Sequence, residues 1–191
     1  MDTLIYAEEL VVADFINNWE LAKFRGYDHF QKQWLPHWVA EIYGEKIKQR
    51  EKVSKTKRVC ITRSQAKYRK IENEQEVTDL FVGLGFEVYN LEIMSVKEQA
   101  ELFANASVVA SVHGAGLANM VFAPHTATIF EIFPEYYHDT GLRILAKTLD
   151  LKYHYLIGET KNVSNVHPQQ ENIFVNPKLL KEALNTILVG G

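Results

Sequence analysis

The residues with the clearest chemical potential form a glycine turn, His113-Gly114-Ala115-Gly116, directly after the β-branched run Ser107–Val112. A helical pattern follows this glycine turn through about Phe122. A strand, a turn and a helix in that order leave unpaired backbone N–H groups at the helix N-terminus, where the helix dipole favours negative charge. Glycines let a ligand approach without a Cβ in the way and tolerate positive φ. The glycine turn therefore predicts a site for phosphate or another anion.

Taken alone, this motif is weakly specific. Gly114-x-Gly116-x-x-Asn119 lacks the third glycine of a dinucleotide-binding fingerprint. Dinucleotide folds also place their glycine turn after the first strand, whereas here it follows the third predicted strand. An NAD-dependent enzyme is therefore disfavoured.

Basic residues are concentrated around the first predicted strand. Between Lys46 and Lys70 the chain has eleven Lys or Arg residues and one acid, although its formal net charge is −3. The part up to Lys57 is typical of a solvated linker helix. The residues Arg63–Lys70, here named the arginine loop, follow a strand and could face an anion in a cleft. Nucleic acid is a poor partner for a chain that is acidic overall and has no recognised nucleic-acid motif.

From about Arg58 onward, strand and helix patterns alternate five times. Asn73 with Glu76, and Ser95 with Glu98, are spaced as capping boxes at the start of two helices. This alternation predicts an α/β fold, a Rossmann-like parallel sheet with helices on both faces. The predicted strands cover residues 58–62, 86–91, 107–112, 127–133 and 151–157, and a last helix begins at Asn176-Pro177. Ligands of such sheets bind at the carboxyl ends of the strands, which predicts a binding edge made of residues 63–70, 91–94, 113–119, 134–140 and 158–161.

Composition limits the number of domains, the location and the cofactors that we expect for this chain. The chain has 191 residues, of which 47% are hydrophobic, as expected for one globular domain of ordinary size. No apolar run reaches the roughly 18 residues that span a bilayer, and no signal peptide is visible. A single cysteine, Cys60, lies in an apolar run and excludes an intramolecular disulfide framework, which favours a cytoplasmic location. There is no Asp-x-Asp motif and no His/Asp/Glu set with metal-ligand spacing, so we expect no metal and no cofactor.

Four sequence pieces, taken together, resemble the carboxy-terminal half of a glycosyltransferase family 61 enzyme. Residues 58 to about 157 carry the resemblance well, and residues 1–57 carry it only loosely. This family includes bacterial capsular-polysaccharide transferases, plant xylosyl- and arabinosyltransferases, and animal O-GlcNAc and O-mannose-extending transferases. The pieces are Ile61-Thr-Arg-Ser64 with Arg69 and Asn73-Glu74, Val112–Asn119, Phe122-Ala-Pro124, and Glu131-Ile-Phe-Pro134.

The resemblance implies a GT-B architecture, in which two Rossmann-like domains flank a cleft and the carboxy-terminal one holds a nucleotide sugar, usually UDP-linked. Residues 58–191 would then form the donor-binding domain, and residues 1–57, a strand and helix segment, would be a linker to or remnant of the acceptor domain. A full transferase of this type is about twice as long, so we expect either a shortened enzyme or a chain that keeps only the donor half. The implied partners are a nucleotide sugar as donor substrate and a glycan or other hydroxyl acceptor. Peripheral membrane association and a homo-oligomer stay open.

Each predicted site residue has a role and an alternative. The two arginines of the arginine loop would neutralise the diphosphate, as fixed cations do where no metal is used, although one could instead pair with Glu72 or Glu74 and the other could be solvated. His113 could orient the turn, contact phosphate or act as a base towards an acceptor hydroxyl. Glu131 could accept hydrogen bonds from ribose hydroxyls or pair with a lysine. His113 is the candidate catalytic residue, and the predicted substrate-binding residues are Arg63, Ser64, Arg69, Gly114, Ala115, Gly116, Leu117, Asn119 and Glu131.

The sequence thus predicts the donor-binding portion of an inverting glycosyltransferase, acting in polysaccharide or capsule biosynthesis. The alternative is a non-catalytic nucleotide-binding or scaffold module. The two differ in whether a bound UDP-sugar is hydrolysed or transferred.

Overall fold

A computed structural model describes residues 57–160 and 167–189 of the chain. Its centre is a five-stranded parallel sheet with the strand order β2-β1-β3-β4-β5. The strands are β1 (Lys57–Ile61), β2 (Phe86–Tyr89), β3 (Ala106–Val112), β4 (Thr128–Phe133) and β5 (Lys152–Ile157). The predicted α/β class and all five predicted strands are confirmed, with bounds that differ by at most two residues. The strand and helix predicted within residues 1–56 lie outside the described residues.

Helices cover both faces of the sheet. They are α1 (Glu74–Gly83), α2 (Val96–Ala104), α3 (Gly141–Thr148) and α4 (Pro177–Val189), with shorter 3₁₀ helices at Leu91–Ile93, Ala115–Phe122 and Pro168–Gln170. Among the described residues, none of these helices has the length and apolar character needed to cross a bilayer.

Two hydrophobic clusters form, one on each face of the sheet, because successive side chains of a strand point to opposite sides. Val109 and Ile129 pack in one cluster with residues of α2 and α3. Val108 and Phe130, one position away on the same strands, pack in the other cluster with residues of α1 and α4. The strands β3 and β4 are buried almost throughout, as is usual for the centre of a parallel sheet.

Only one of the two predicted capping boxes forms. The Ser95 side chain accepts from the backbone N–H of Glu98, and the Glu98 carboxylate accepts in return from the Ser95 backbone N–H. Asn73 makes no capping bond at the start of α1. Its amide is instead paired with the backbone of Val175, donating to the carbonyl and accepting from the N–H. Asn73 thereby attaches the start of α1 to the segment before α4.

The strand order decides where a site can form. The connection from β1 to β2 runs outward on one side, and β3 then returns to pair with β1 on its other side. At such a switch point the loops after the two adjacent strands diverge and leave a crevice, which is the usual ligand site of open α/β sheets. Here those loops are the arginine loop after β1 and the glycine turn after β3.

Candidate functional site

The arginine loop and the glycine turn are in direct contact. A Cβ added to Gly114 would lie 2.4 Å from Nη1 and 3.3 Å from Cζ of Arg63. Gly114 itself is extended, with φ of 169°, so the glycine is not needed for its backbone conformation. It is needed because the guanidinium group fills the space that a side chain would occupy.

The second arginine of the loop is close enough to act on the first electrostatically. Burial lowers the pKa of Arg63, and the charge of Arg69 lowers it further, with Glu92 opposing them. The Nε atoms of both arginines are buried without a hydrogen-bond partner in the described residues. Two cations in this arrangement, with unused donors, favour an anion between or beside them.

The predicted alternative for Arg63, a salt bridge to Glu72 or Glu74, is not present. Arg63 forms no ion pair within the described part of the chain, and its Nη2 donates to the carbonyl of Tyr68 at 3.3 Å. The carboxylate of Glu74 accepts instead from the hydroxyl of Thr62 at 2.5 Å. The charge of Arg63 is thus left available to a ligand.

Arg69 is held in an uncommon backbone conformation, with φ of 57°. A non-glycine residue in this left-handed region costs of order 1 kcal/mol, and persists only where its surroundings fix it. The segment before α4 does so here, because the backbone N–H of Lys70 donates to Asn172 Oδ1 at 3.1 Å and the N–H of Ile173 donates to the Lys70 carbonyl at 2.9 Å. This strained backbone places Arg69 on the wall of a cavity.

That cavity opens beside the glycine turn and has a volume of about 510 Å³, within the usual range for small-molecule sites. Polar and charged groups line one part of it and aliphatic side chains of α3 line another. Its lining residues include Arg69, His113, Gly114, Ala115, Ala118, Tyr137, Asp139, Gly141, Leu142, Leu145 and Gln169. Three of the five predicted binding-edge segments, 63–70, 113–119 and 134–140, thus contribute to it, whereas 91–94 and 158–161 do not line it.

The backbone donors of the glycine turn are fewer than the sequence suggested. The helix after the turn is a 3₁₀ helix, Ala115–Phe122. Leu117 is fully buried and its N–H donates to the Gly114 carbonyl at 3.1 Å, so it is not available to a ligand. The N–H groups of Ala115 and Gly116, at the first two positions of the helix, have no acceptor within the helix. They are the backbone donors that the glycine turn offers to a ligand.

His113 is fixed by a carboxylate behind it. Its Nδ1 lies 2.5 Å from Oε1 of Glu131, and its ring stacks on Phe133 with the ring centres 5.1 Å apart. The other carboxylate oxygen of Glu131 accepts a hydrogen bond from the hydroxyl of Tyr153. This arrangement leaves Nε2 as the ring nitrogen of His113 without a hydrogen-bond partner among the described residues, on a side chain that lines the cavity.

The predicted contact between Glu131 and ribose is not available in this structure. Glu131 is completely buried, and each of its carboxylate oxygens already accepts from a neighbouring side chain. Its alternative, a pair with a lysine, is also absent from the described residues, because the partner is His113. The sequence did contain a signal, since an acid within the buried run 128–133 needs a hydrogen-bonding partner.

Six predicted site residues do not line the cavity: Arg63, Ser64, Gly116, Leu117, Asn119 and Glu131. Two of these, Asn119 and Ser64, make hydrogen bonds beside it. The Asn119 amide donates to Gln99 Oε1 at 2.8 Å and to the Gly116 carbonyl at 3.2 Å, which ties the 3₁₀ helix to α2. The backbone N–H of Ser64 donates to the Thr62 hydroxyl at 3.1 Å. These hydrogen bonds hold the start of the arginine loop and the 3₁₀ helix that follows the glycine turn.

Sequence reasoning missed one polar residue of the wall. Gln169 lies between the last strand and α4, where no motif marked it, and its amide donates to the Tyr137 hydroxyl at 2.8 Å. Tyr137 also donates to Asp139, whose other carboxylate oxygen accepts from the N–H of Gly141 at the start of α3. These three side chains form a connected polar part of the wall, and the ring of Tyr137 meets that of His113 edge-on with the ring centres 5.4 Å apart.

Comparison with known proteins places this sequence in a family. The sequence profile of the family described as glycosyltransferase 61 matches residues 4–130. The chain belongs to glycosyltransferase family 61. The match includes the arginine loop and the glycine turn, and it begins well before residue 58, in the segment for which the sequence pattern predicts only a loose resemblance. It stops before Glu131, which the prediction had included.

Several plant glycosyltransferases are similar to this family 61 chain. The alpha-1,3-arabinosyltransferase XAT3 of Oryza sativa subsp. japonica is 32% identical over 114 residues, which are 55% of this chain and 20% of the rice protein. The beta-1,2-xylosyltransferase of Arabidopsis thaliana is 39% identical over 61 residues, 32% of this chain and 11% of that protein. The beta-1,2-xylosyltransferase XYXT1 of rice is 25% identical over 134 residues, 66% and 29% of the two chains. The chain therefore spans less than a third of the length of these relatives.

Proposed function

We propose that the cavity beside the glycine turn binds the nucleotide diphosphate of a sugar donor, and that the chain supplies the donor site of a sugar transfer. The observation that carries this proposal is a pair of guanidinium groups at the switch point of the sheet, Arg69 on the cavity wall and Arg63 against Gly114, neither of which forms an ion pair within the described residues. A diphosphate provides the charge and the acceptor oxygens that these donors lack. The aliphatic and aromatic part of the wall suits the remainder of a nucleotide.

The geometry also suits the chemistry of transfer. An acceptor hydroxyl oxygen would form a bond to the anomeric carbon while the bond from that carbon to the diphosphate breaks, which inverts the configuration. Negative charge then grows on the departing diphosphate, where Arg63 and Arg69 would neutralise it. The proton of the hydroxyl passes to a base, for which His113 is the candidate within the described residues.

UDP is the nucleotide that we propose, and xylose and arabinose are the first sugars to test. The similar plant proteins are named as xylosyl- and arabinosyltransferases. A hydroxyl of a growing polysaccharide, as in capsule synthesis, remains the proposed acceptor. A cytoplasmic location and independence from metals remain predictions.

Calorimetric titration of the full chain tests donor binding. UDP, GDP, NAD and S-adenosylmethionine are titrated into the wild type, and UDP into Arg63→Ala and Lys67→Ala. Lys67 is the matched control, because it is an exposed cation of the same loop that lies over the ring of Tyr68. We expect heat with UDP, a loss of affinity in Arg63→Ala and little change in Lys67→Ala. No heat with any nucleotide would contradict the proposal.

A second measurement separates an enzyme from a binding module. Release of UDP from UDP-xylose and UDP-arabinose is followed with and without xylan or monosaccharide acceptors. Turnover that is lost in Arg63→Ala supports transfer chemistry. UDP binding without release of UDP from any donor would favour the non-catalytic nucleotide-binding module.

A further inference from the structure

Three side chains from three different elements form a continuous hydrogen-bonded line behind the cavity. Tyr153 on β5 contacts Glu131 on β4, and Glu131 contacts His113 after β3. Glu131 and its neighbours lie in the sheet interior, and His113 is only 7% exposed at the end of the line. The line therefore connects the edge strand of the sheet with the wall of the candidate donor site.

The direction of the first hydrogen bond is fixed. Burial and the neighbouring Glu131 carboxylate raise the pKa of Tyr153 well above its usual range, so the phenol keeps its proton. The hydroxyl must then donate, and Glu131 must accept on Oε2. Phe133, which stacks on the imidazole, leaves the ring little freedom to turn away.

The direction of the second hydrogen bond follows from the ionised form of Glu131. Both oxygens of a carboxylate anion can only accept, so the proton between Glu131 and His113 then belongs to Nδ1. In a neutral imidazole, a proton on Nδ1 leaves a lone pair on Nε2. Carboxylates orient catalytic and metal-binding histidines in this way.

We propose that Tyr153 is a positioning residue which, through Glu131, holds His113 in the Nδ1–H form so that Nε2 meets the cavity as a hydrogen-bond acceptor. This inference deepens the proposed function and depends on it for its substrate. An acceptor nitrogen suits a hydroxyl group of the sugar or of the acceptor, and does not suit a phosphate oxygen, which offers no proton. His113 would therefore face the hydroxyl side of the reaction, while the arginines face the diphosphate.

The tautomer can be measured without any assay of activity. Nitrogen-15 NMR with long-range proton correlation distinguishes the two ring nitrogens of a histidine and shows which one carries the proton. The full chain is labelled, and His113 is assigned by the signals missing from His113→Gln. Spectra are recorded in alkaline buffer for the wild type, Tyr153→Phe, Glu131→Gln and Tyr155→Phe, and for the wild type with saturating UDP.

Tyr155 provides the matched control. It lies two residues along β5, beside Glu131 in the strand register, is 54% exposed and contacts Phe133 by its ring edge. Tyr155→Phe therefore removes a hydroxyl from the same strand without removing a hydrogen bond of the Glu131 carboxylate. We expect a proton on Nδ1 and none on Nε2 in the wild type and in Tyr155→Phe. In Tyr153→Phe and Glu131→Gln the two nitrogen signals should move towards each other, as both tautomers become populated.

The contrary results distinguish a failure of the positioning role from a failure of the proposed function. A wild-type proton on Nε2, unchanged signals in both Tyr153→Phe and Glu131→Gln, or a doubly protonated ring in the UDP complex would overturn the positioning role. UDP affinity is measured on the same samples and should change less than threefold in Tyr153→Phe, because the arginines are untouched. Loss of UDP binding by the wild type would contradict the proposed function while leaving the tautomer result intact.

Discussion

The guanidinium group of Arg63 occupies the place of a side chain at Gly114. The position of a Cβ on residue 114 lies 2.4 Å from Nη1, closer than two such atoms can approach. The loop after β1 and the turn after β3 can pack this closely because residue 114 has no Cβ. This contact between Arg63 and Gly114 is here called the interlock. A side chain at residue 114 would therefore require the Arg63 guanidinium group to move.

Replacing Gly114 by alanine should weaken nucleotide binding. The added methyl group displaces the Arg63 guanidinium, and loss of one charge-assisted contact costs about 1.5–3 kcal/mol, or roughly 10- to 150-fold in affinity. Calorimetry with UDP measures the change. Gly83→Ala is the control, because nothing lies within 4 Å of its added Cβ at the end of α1. Equal affinities in the two variants would show that the interlock has no part in binding.

Replacing Arg63 by glutamine should separate binding from stability. Affinity for UDP should fall roughly 10- to 150-fold, because the glutamine lacks the charge. The thermal midpoint of the free protein should not fall, since Arg63 makes no ion pair in the described residues and its charge is repelled by Arg69. Calorimetric scans with and without UDP test both statements. A lower midpoint in the absence of ligand would indicate that Arg63 is a structural residue.

Asn119 should prove to be structural. Asn119→Ala removes hydrogen bonds to Gln99 and Gly116, which should lower the free energy of unfolding by about 1–2 kcal/mol. Affinity for UDP should change less than threefold. Urea unfolding of Asn119→Ala, Gln99→Ala and the double variant gives the coupling energy, which should be about 0.5–1.5 kcal/mol. Additive losses would contradict a stabilising bond between Asn119 and Gln99, and a tenfold loss of UDP affinity would support the predicted contact with substrate.

Stability should fall in alkaline solution partly through Cys60. Burial raises the pKa of this thiol from 9.0 to about 12, so the folded chain keeps a proton that the unfolded chain releases above pH 9.0. The contribution is fully present below pH 9.0 and is lost as pH rises towards about 12. Between pH 8 and 10 the wild type should therefore lose about 1.4 kcal/mol more than Cys60→Ala. Urea unfolding at the two pH values measures this, and parallel losses would contradict it.

Much of the fold could be predicted because its signals are local. Strand runs such as 107–112, the Ser95–Glu98 capping box and Pro177 at the start of α4 each depend on a few neighbouring residues. The proximity of the arginine loop and the glycine turn also followed, because parallel strands bring their carboxyl ends to one edge.

The details that could not be predicted depend on residues far apart in the chain. No local pattern indicates that Asn73 pairs with Val175, or that Gln169 reaches Tyr137. Glu131 lies within β4, two residues before its end, and no local pattern shows that its neighbours are His113 and Tyr153. Its burial under His113 depends on the pairing of β4 with β5, which a strand pattern does not specify.

The interlock of Arg63 with Gly114 joins segments about fifty positions apart, which follow two strands that pair directly in the sheet although β2 lies between them in the sequence. A short peptide that contains only one of these segments has half of the candidate anion site and lacks the strand pairing that brings the other half close. Nucleotide affinity therefore reports on correct strand pairing as well as on chemistry. Retention on immobilised UDP would select correctly folded molecules from a refolding mixture.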